Sequence, residues 1–250
     1  MNTPSSTLAA EPAPRPPVER HPLLRRIRQA AARNLRPALA IWGVALGVLF
    51  AYYGTDAGRH ALEGLMALKE RYGSVYSFLV GAIFAGLVPR LVMLATGAHR
   101  GPLGPELGFG MALWGYRGVE VDWFYRLQGW LFGNDHAWQT VLCKTLVDQG
   151  LYSVFWVVPS LSVLYAWKAS GWSPARTRRR IDATFVRLEL PSAMIANAMV
   201  WTPTVVVVYL LPPALQLPVS NLVATFWVLM LVLLLGREAD DETVDKEAMT

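Results

Sequence analysis

The hexapeptide Lys144-Thr145-Leu146-Val147-Asp148-Gln149 puts an ammonium, a carboxylate and a carboxamide at the mouth of an apolar run that continues to Trp167. A second charged set lies upstream, with Arg117, Glu120, Asp122 and Arg126 among glycines and aromatics. Asp122 and Arg126 stand at i and i+4 with the acid first, the favourable order on a helix. Residues of these types either line a hydrated pathway or clasp neighbouring helices through buried ion pairs. Catalysis is not expected. The chain shows no nucleophile–base set and no phosphate loop, so no catalytic residue is assigned. His21, His60, His99 and His136 are far apart and Cys143 is the only cysteine, so neither a metal nor a cofactor is expected. Cys143 itself reads as a packing residue.

The elements that carry these charges are apolar. Of 250 residues, 54% are hydrophobic and 16% charged, against roughly 25% charged in soluble domains. Mean hydropathy is +0.32. The chain therefore reads as an all-α, polytopic transmembrane helix bundle. Spans of about 20 mostly apolar residues fall at 37–54, 75–97, 138–167, 193–211 and 218–236. Pro89, Pro159 and Pro203 interrupt three of them. Residues 56–72 read as a surface helix. Residues 174–188 read as an interfacial amphipathic helix, opened by Ser173-Pro174, with Ile181, Phe185 and Leu188 on one side. The domain reading is a disordered Pro- and Arg-rich tail over 1–34, an added span and surface helix over 35–74, a bundle over 75–236, and an acidic tail over 237–250.

The segment 104–128 is decided by charge placement. Without it there are five spans, and the Arg-rich N-terminus and the basic segment 168–187 fall on opposite sides, against the positive-inside rule. With it there are six, and both basic segments share one side. Its charges must then face protein or water, because unpaired charge at membrane depth costs several kcal/mol, roughly 2.5–3.5 on insertion scales. At roughly 1.5 Å per residue, Lys144 lies about 9 Å inward from Trp138 and Asp122 about 12 Å inward from Trp130. Matched depth predicts Lys144 near Asp122 or Glu120, and Asp148 near Arg117 or Lys144. Asn197 is expected to make a helix–helix hydrogen bond, and Arg90 to snorkel to the inner surface.

Three stretches, FYRLQGWLFGN, WQTVLCKTLVDQG and NAMVWTP, resemble in order and spacing the Mpv-seventeen / peroxisomal membrane protein (twenty-two kDa) family. Phe124-Tyr125-Arg126 corresponds to its W-Y-[KR] element, Lys144 with Leu146 to Gln149 to its K-x-L-[LV]-D-Q element, and Asn197 with Trp201 to its N-x-x-x-W element. The chain departs from the pattern at Thr202, which separates Trp201 from Pro203, and in the apolar residues at the later Gln, Asn and Arg positions. The resemblance implies a small multi-pass protein of channel-like character, a bacterial relative of mitochondrial inner and peroxisomal membrane proteins.

Two functions stay open at this point: a pore or channel-like protein for small solutes, or a structural and assembly protein whose buried pairs fix helix packing. The partners expected are the lipid bilayer and anionic lipids at the inner face, met by Arg176, Arg178, Arg179 and Arg180. Homo-oligomers are compatible with this reading. The basic clusters flank apolar runs, which points to a membrane surface and not to nucleic acid. Abundant Arg, Ala, Gly and Pro suggest a bacterial cytoplasmic membrane. In a eukaryote, a mitochondrial inner or peroxisomal membrane would be expected.

Overall fold

The computed structural model describes residues 22–95, 97 and 103–226. The expected tail over 1–21, the end of the last span over 227–236 and the acidic tail over 237–250 lie outside the described residues. Among the described residues the secondary structure is entirely helical. We number the helices α1 (Pro22–Gly54), α2 (Asp56–Ala95), α3 (Leu103–Phe132), α4 (Trp138–Ala169), α5 (Pro174–Arg180), α6 (Phe185–Tyr209) and α7 (213–226). Three of these, α2, α4 and α6, are long and apolar enough to cross a membrane, and 38–54 of α1 is a shorter apolar helix. The expected disordered tail is corrected over 22–34. That stretch is helical and continuous with the first span, since its Leu, Arg, Gln and Ala residues are good helix formers.

Proline shapes three helices in one way. A proline lacks the N–H that would bond the carbonyl four residues back, and its ring clashes with that carbonyl. Here a π-turn precedes each one: Gly81–Leu87 before Pro89, Val147–Val157 before Pro159, and Phe185–Glu189 before Pro191. The residue just before each proline donates five residues back, Val88 to Ile83, Val158 to Ser153 and Leu190 to Phe185. The wider turn re-pairs the backbone, so the helices continue through Pro89 and Pro159, where the sequence suggested interruptions; Pro203, the third expected interruption, lies inside α6 with no π-turn before it.

α2 does break, at Gly73, whose φ of 53° and ψ of −124° are non-helical. This divides the expected surface helix from the expected span. Beyond the break, α2 packs closely on α3. A Cβ on Gly81 would clash with the Trp114 carbonyl, and one on Gly118 with the Ser77 carbonyl. Glycine at both places lets two backbones touch, the small-residue packing of membrane helices.

α1 and α6 form the other tight pair. Ala38, Ile41 and Ala45 are fully buried beside Val200, Val207 and Val223. Trp42 donates from Nε1 to the Val200 carbonyl at 3.0 Å. The expected helix 174–188 is also corrected. α5 ends at Arg180, where Ile181 leaves helical geometry. Asp182 then accepts from Phe185 N at 2.8 Å, which caps the start of α6 well before the expected boundary at 193. Phe185 and Leu188 therefore belong to the long helix.

Candidate functional site: a polar layer inside the bundle

α3 brings its polar residues into the interior. Arg117 and Asp122 are 6% and 4% exposed, and Gln128 is fully buried. The glycine contacts hold α3 against α2, and α4 covers another side through Glu120's partners. Three clusters result.

The first sits at the Gly73 break. Lys69 Nζ lies 2.6 Å from Asp122 Oδ2, and it donates to Ser77 Oγ at 2.8 Å and to the Gly73 carbonyl at 3.2 Å. Ser77 also donates to Asp122 at 3.0 Å. Arg126 Nη2 approaches the same carboxylate at 3.2 Å, but its side chain is 60% exposed. Lys69 was missed from sequence because it was counted among the charges of a surface helix. It stands seven residues after Leu62 and three after Met66, both of which pack on the core, so helical spacing already placed it on the inner face.

The second cluster is held by Glu120. Arg117 Nη1 reaches both its oxygens, at 2.7 and 2.9 Å, and Arg117 Nη2 donates to Ser160. Tyr152 and Trp156 each donate to Glu120 Oε1 at 2.6 Å. The third cluster surrounds Tyr209, whose hydroxyl donates to Asp148 Oδ2 at 2.5 Å and accepts from Gln128 Nε2 at 2.5 Å. Gln149 Nε2 donates to Asp148 Oδ1 at 2.8 Å.

The expected pairing of the KTLVDQ residues is therefore corrected. Lys144 meets neither Asp122 nor Glu120, and Asp148 meets neither Arg117 nor Lys144. Lys144 is 2% exposed. It donates to Asn134 Oδ1 at 3.3 Å and lies 5.6 Å from the centre of the Tyr209 ring. Lys144 forms no ion pair among the described residues. Asp122 is taken by Lys69, and Asp148 accepts from Tyr209 instead. Gln149 stays on its own helix, and its Oε1, like Arg117 Nε and Gln128 Oε1, is buried without a hydrogen-bond partner.

Outside the layer, Asn197 is half-buried and its side chain makes no hydrogen bond among the described residues. Thr225 Oγ1 makes one of the helix–helix bonds instead, to the Phe84 carbonyl at 2.9 Å. Arg90 pairs with Glu106 at 2.9 Å in place of snorkelling, and Glu106 also meets Lys168 at 2.9 Å. Arg176, Arg178, Arg179 and Arg180 are all exposed. Cys143 is exposed and not packed.

Cavities adjoin the clusters. A central cavity of about 130 Å³ is lined by Arg117, Asp148, Gln149, Ser220 and Asn221 among apolar residues. Toward the end of the bundle that carries Asn134, a vestibule of about 350 Å³ is lined by Lys69, Glu70, Asp122, Arg126 and Gln216. Tyr125 lines both spaces. Its hydroxyl is 2.9 Å from Ser220 Oγ, and its ring meets Tyr209 edge-on at 5.4 Å.

No family model, curated protein or solved structure matches this chain.

Proposed function

We propose that the chain is a six-span integral membrane protein with both termini on the cytoplasmic or matrix side, and that it is a channel-like protein for small polar solutes, held closed at Tyr125. The observation that carries this reading is the single tyrosine shared by the vestibule and the central cavity, each lined by charged and polar side chains among apolar ones. A cavity of about 130 Å³ exceeds many times the ~10–15 Å³ that one water needs. Polar residues of both signs around it suit hydrated neutral or zwitterionic solutes better than ions of one charge. The family resemblance in the FYR and KTLVDQ stretches supports the same reading, and no enzymatic activity is proposed. The bacterial cytoplasmic membrane is the proposed location, with α5 against its anionic leaflet.

A second reading has its own support. Lys69–Asp122 and Arg117–Glu120 are closed pairs, as a purely structural clasp requires. Flux through liposomes holding purified protein separates the two. Tyr125→Ala opens the wall between vestibule and cavity, and is expected to raise the permeation of small neutral solutes at least ten-fold over the wild-type protein. Absence of flux in both proteins, with fold retained, would establish the clasp and defeat the channel.

A further inference from the structure

On the side of the bundle away from the vestibule, α3, α4 and α5 border an open groove of about 930 Å³, at the upper end of the ~300–1,000 Å³ usual for ligand sites. Its α4 wall is apolar and uncovered: Phe155, Trp156, Val163 and Trp167 are 74, 50, 43 and 39% exposed. Its two charged lining residues are both arginines, Arg117 and Arg178. Arg117 is committed to Glu120 and Ser160. Arg178 is exposed and has no ion pair among the described residues, on a helix with four arginines and no acid.

The dimensions fit one leaflet. Phe155 and Trp167 are twelve residues apart, roughly 18 Å along a helix, against about 15 Å for half of a ~30 Å hydrocarbon core. In the six-span arrangement proposed above, on which this inference rests, the groove would run from the depth of the bilayer middle to the end where α5 sits, with Arg178 at headgroup level. Thr177 and Ile181 of the α5 segment close it from above. A long apolar trough of one leaflet's depth, ending at a free guanidinium with no carboxylate among its lining residues, is complementary to a lipid that carries an apolar chain and an anionic phosphate.

We propose that this groove is a specific site for one anionic phospholipid, with an acyl chain along α4 and the phosphate at Arg178. The site requires residence in a bilayer but not conduction, so it stands or falls separately from the channel. Native mass spectrometry of the full chain, released from detergent with phosphatidylglycerol or phosphatidylcholine, tests it. One phosphatidylglycerol is expected to be retained in preference to phosphatidylcholine. Arg178→Gln is expected to weaken that retention about five-fold, the contribution of one basic side chain at an anionic lipid. Arg179→Gln, also exposed but outside the groove, is expected to leave it unchanged. Val163→Trp fills the groove and is expected to remove the retained lipid while Arg178 stays in place. Equal retention of the two lipids, equal loss in Arg178→Gln and Arg179→Gln, or lipid persisting in Val163→Trp would each overturn the site in favour of diffuse attraction to the membrane surface.

Discussion

Lys69 is 5% exposed, and a cation so placed is tolerated only with its hydrogen bonds filled. Asp122, Ser77 and the Gly73 carbonyl fill them. Removing one partner strands a buried charge, which costs about 3–5 kcal/mol. Lys69→Met and Asp122→Leu are each expected to lower the melting temperature in detergent, and the double variant to recover part of the loss. Arg126, left without its acid, is exposed enough to be hydrated. Simple additivity of the two losses would refute the pairing. Asp135 makes a different case, in the exposed loop before α4. Hydrogen bonds from the Thr140 side chain and from the Ala137 backbone, the latter at 3.1 Å, hold its carboxyl below the ordinary value of 3.8. A depressed folded value stabilises above the unfolded value and is lost as pH falls through the folded one. The stability gap between wild type and Asp135→Asn is therefore expected to be present at neutral pH and to shrink below about pH 4. Melting curves between pH 2.5 and 7 measure it, and a gap that widens on acidification would contradict the assignment.

At the scale of elements, the burial of Lys144 and Asp122 was legible in the sequence and their partners were not. The rise per residue fixes how deep a side chain lies, so Lys144 and Asp122 were rightly placed as charges of the interior. It leaves open which way each helix is turned about its axis. Every residue advances an α-helix by roughly 100°, so depth alone does not say which neighbour a side chain meets: Lys144 and Asp148, four residues apart, both face Tyr209. The proline positions were plain, but only the backbone reveals that π-turns absorb Pro89 and Pro159 while Pro203 sits in regular α-helix. Asp182 shows another limit: apolar spacing at Ile181, Phe185 and Leu188 suited one amphipathic helix, while a cap inside the stretch split it. The α2–α3 contact was not legible either, since isolated glycines say nothing of what touches them. Gly118→Val is expected to force these helices apart and lower stability by several kcal/mol, through overpacking of about 1–3 kcal/mol together with loss of the Ser77–Asp122 bond. Gly64→Ala is the opposite case. Gly64 lies in α2 with open space around it, and alanine there is expected to stabilise by about 0.5–1 kcal/mol. Thermal melts of the two variants moving in the same direction would refute the packing argument.

For the whole molecule, α3 decides the topology. It has 30 residues, roughly 45 Å of helix, ample for a ~30 Å core, and its charge is why hydropathy alone rejects it. In the fold Arg117 and Asp122 are buried with partners on α2, α4 or α3 itself, which lowers the cost of membrane depth for them, while Arg126 stays 60% exposed in the last two turns of the helix. If α3 crosses, the α1–α2 junction and the α3–α4 loop share one side, and α5 lies on the other. If α3 stays on the surface, the α3–α4 loop moves across from the α1–α2 junction and α5 joins that junction's side. Single cysteines at the exposed positions Asp56, His136 and Ala175, in a chain with Cys143→Ala, separate these cases with a membrane-impermeant maleimide. Asp56→Cys and His136→Cys are expected to label together from the outer side, and Ala175→Cys only after permeabilisation. Labelling of Asp56→Cys with Ala175→Cys, and of His136→Cys from the opposite side, would remove α3 from the membrane. It would also place the Arg-rich α5 on the outer face, against the charge asymmetry that orients membrane helices, so the six-span arrangement and the lipid site at Arg178 would both lose their basis in one measurement.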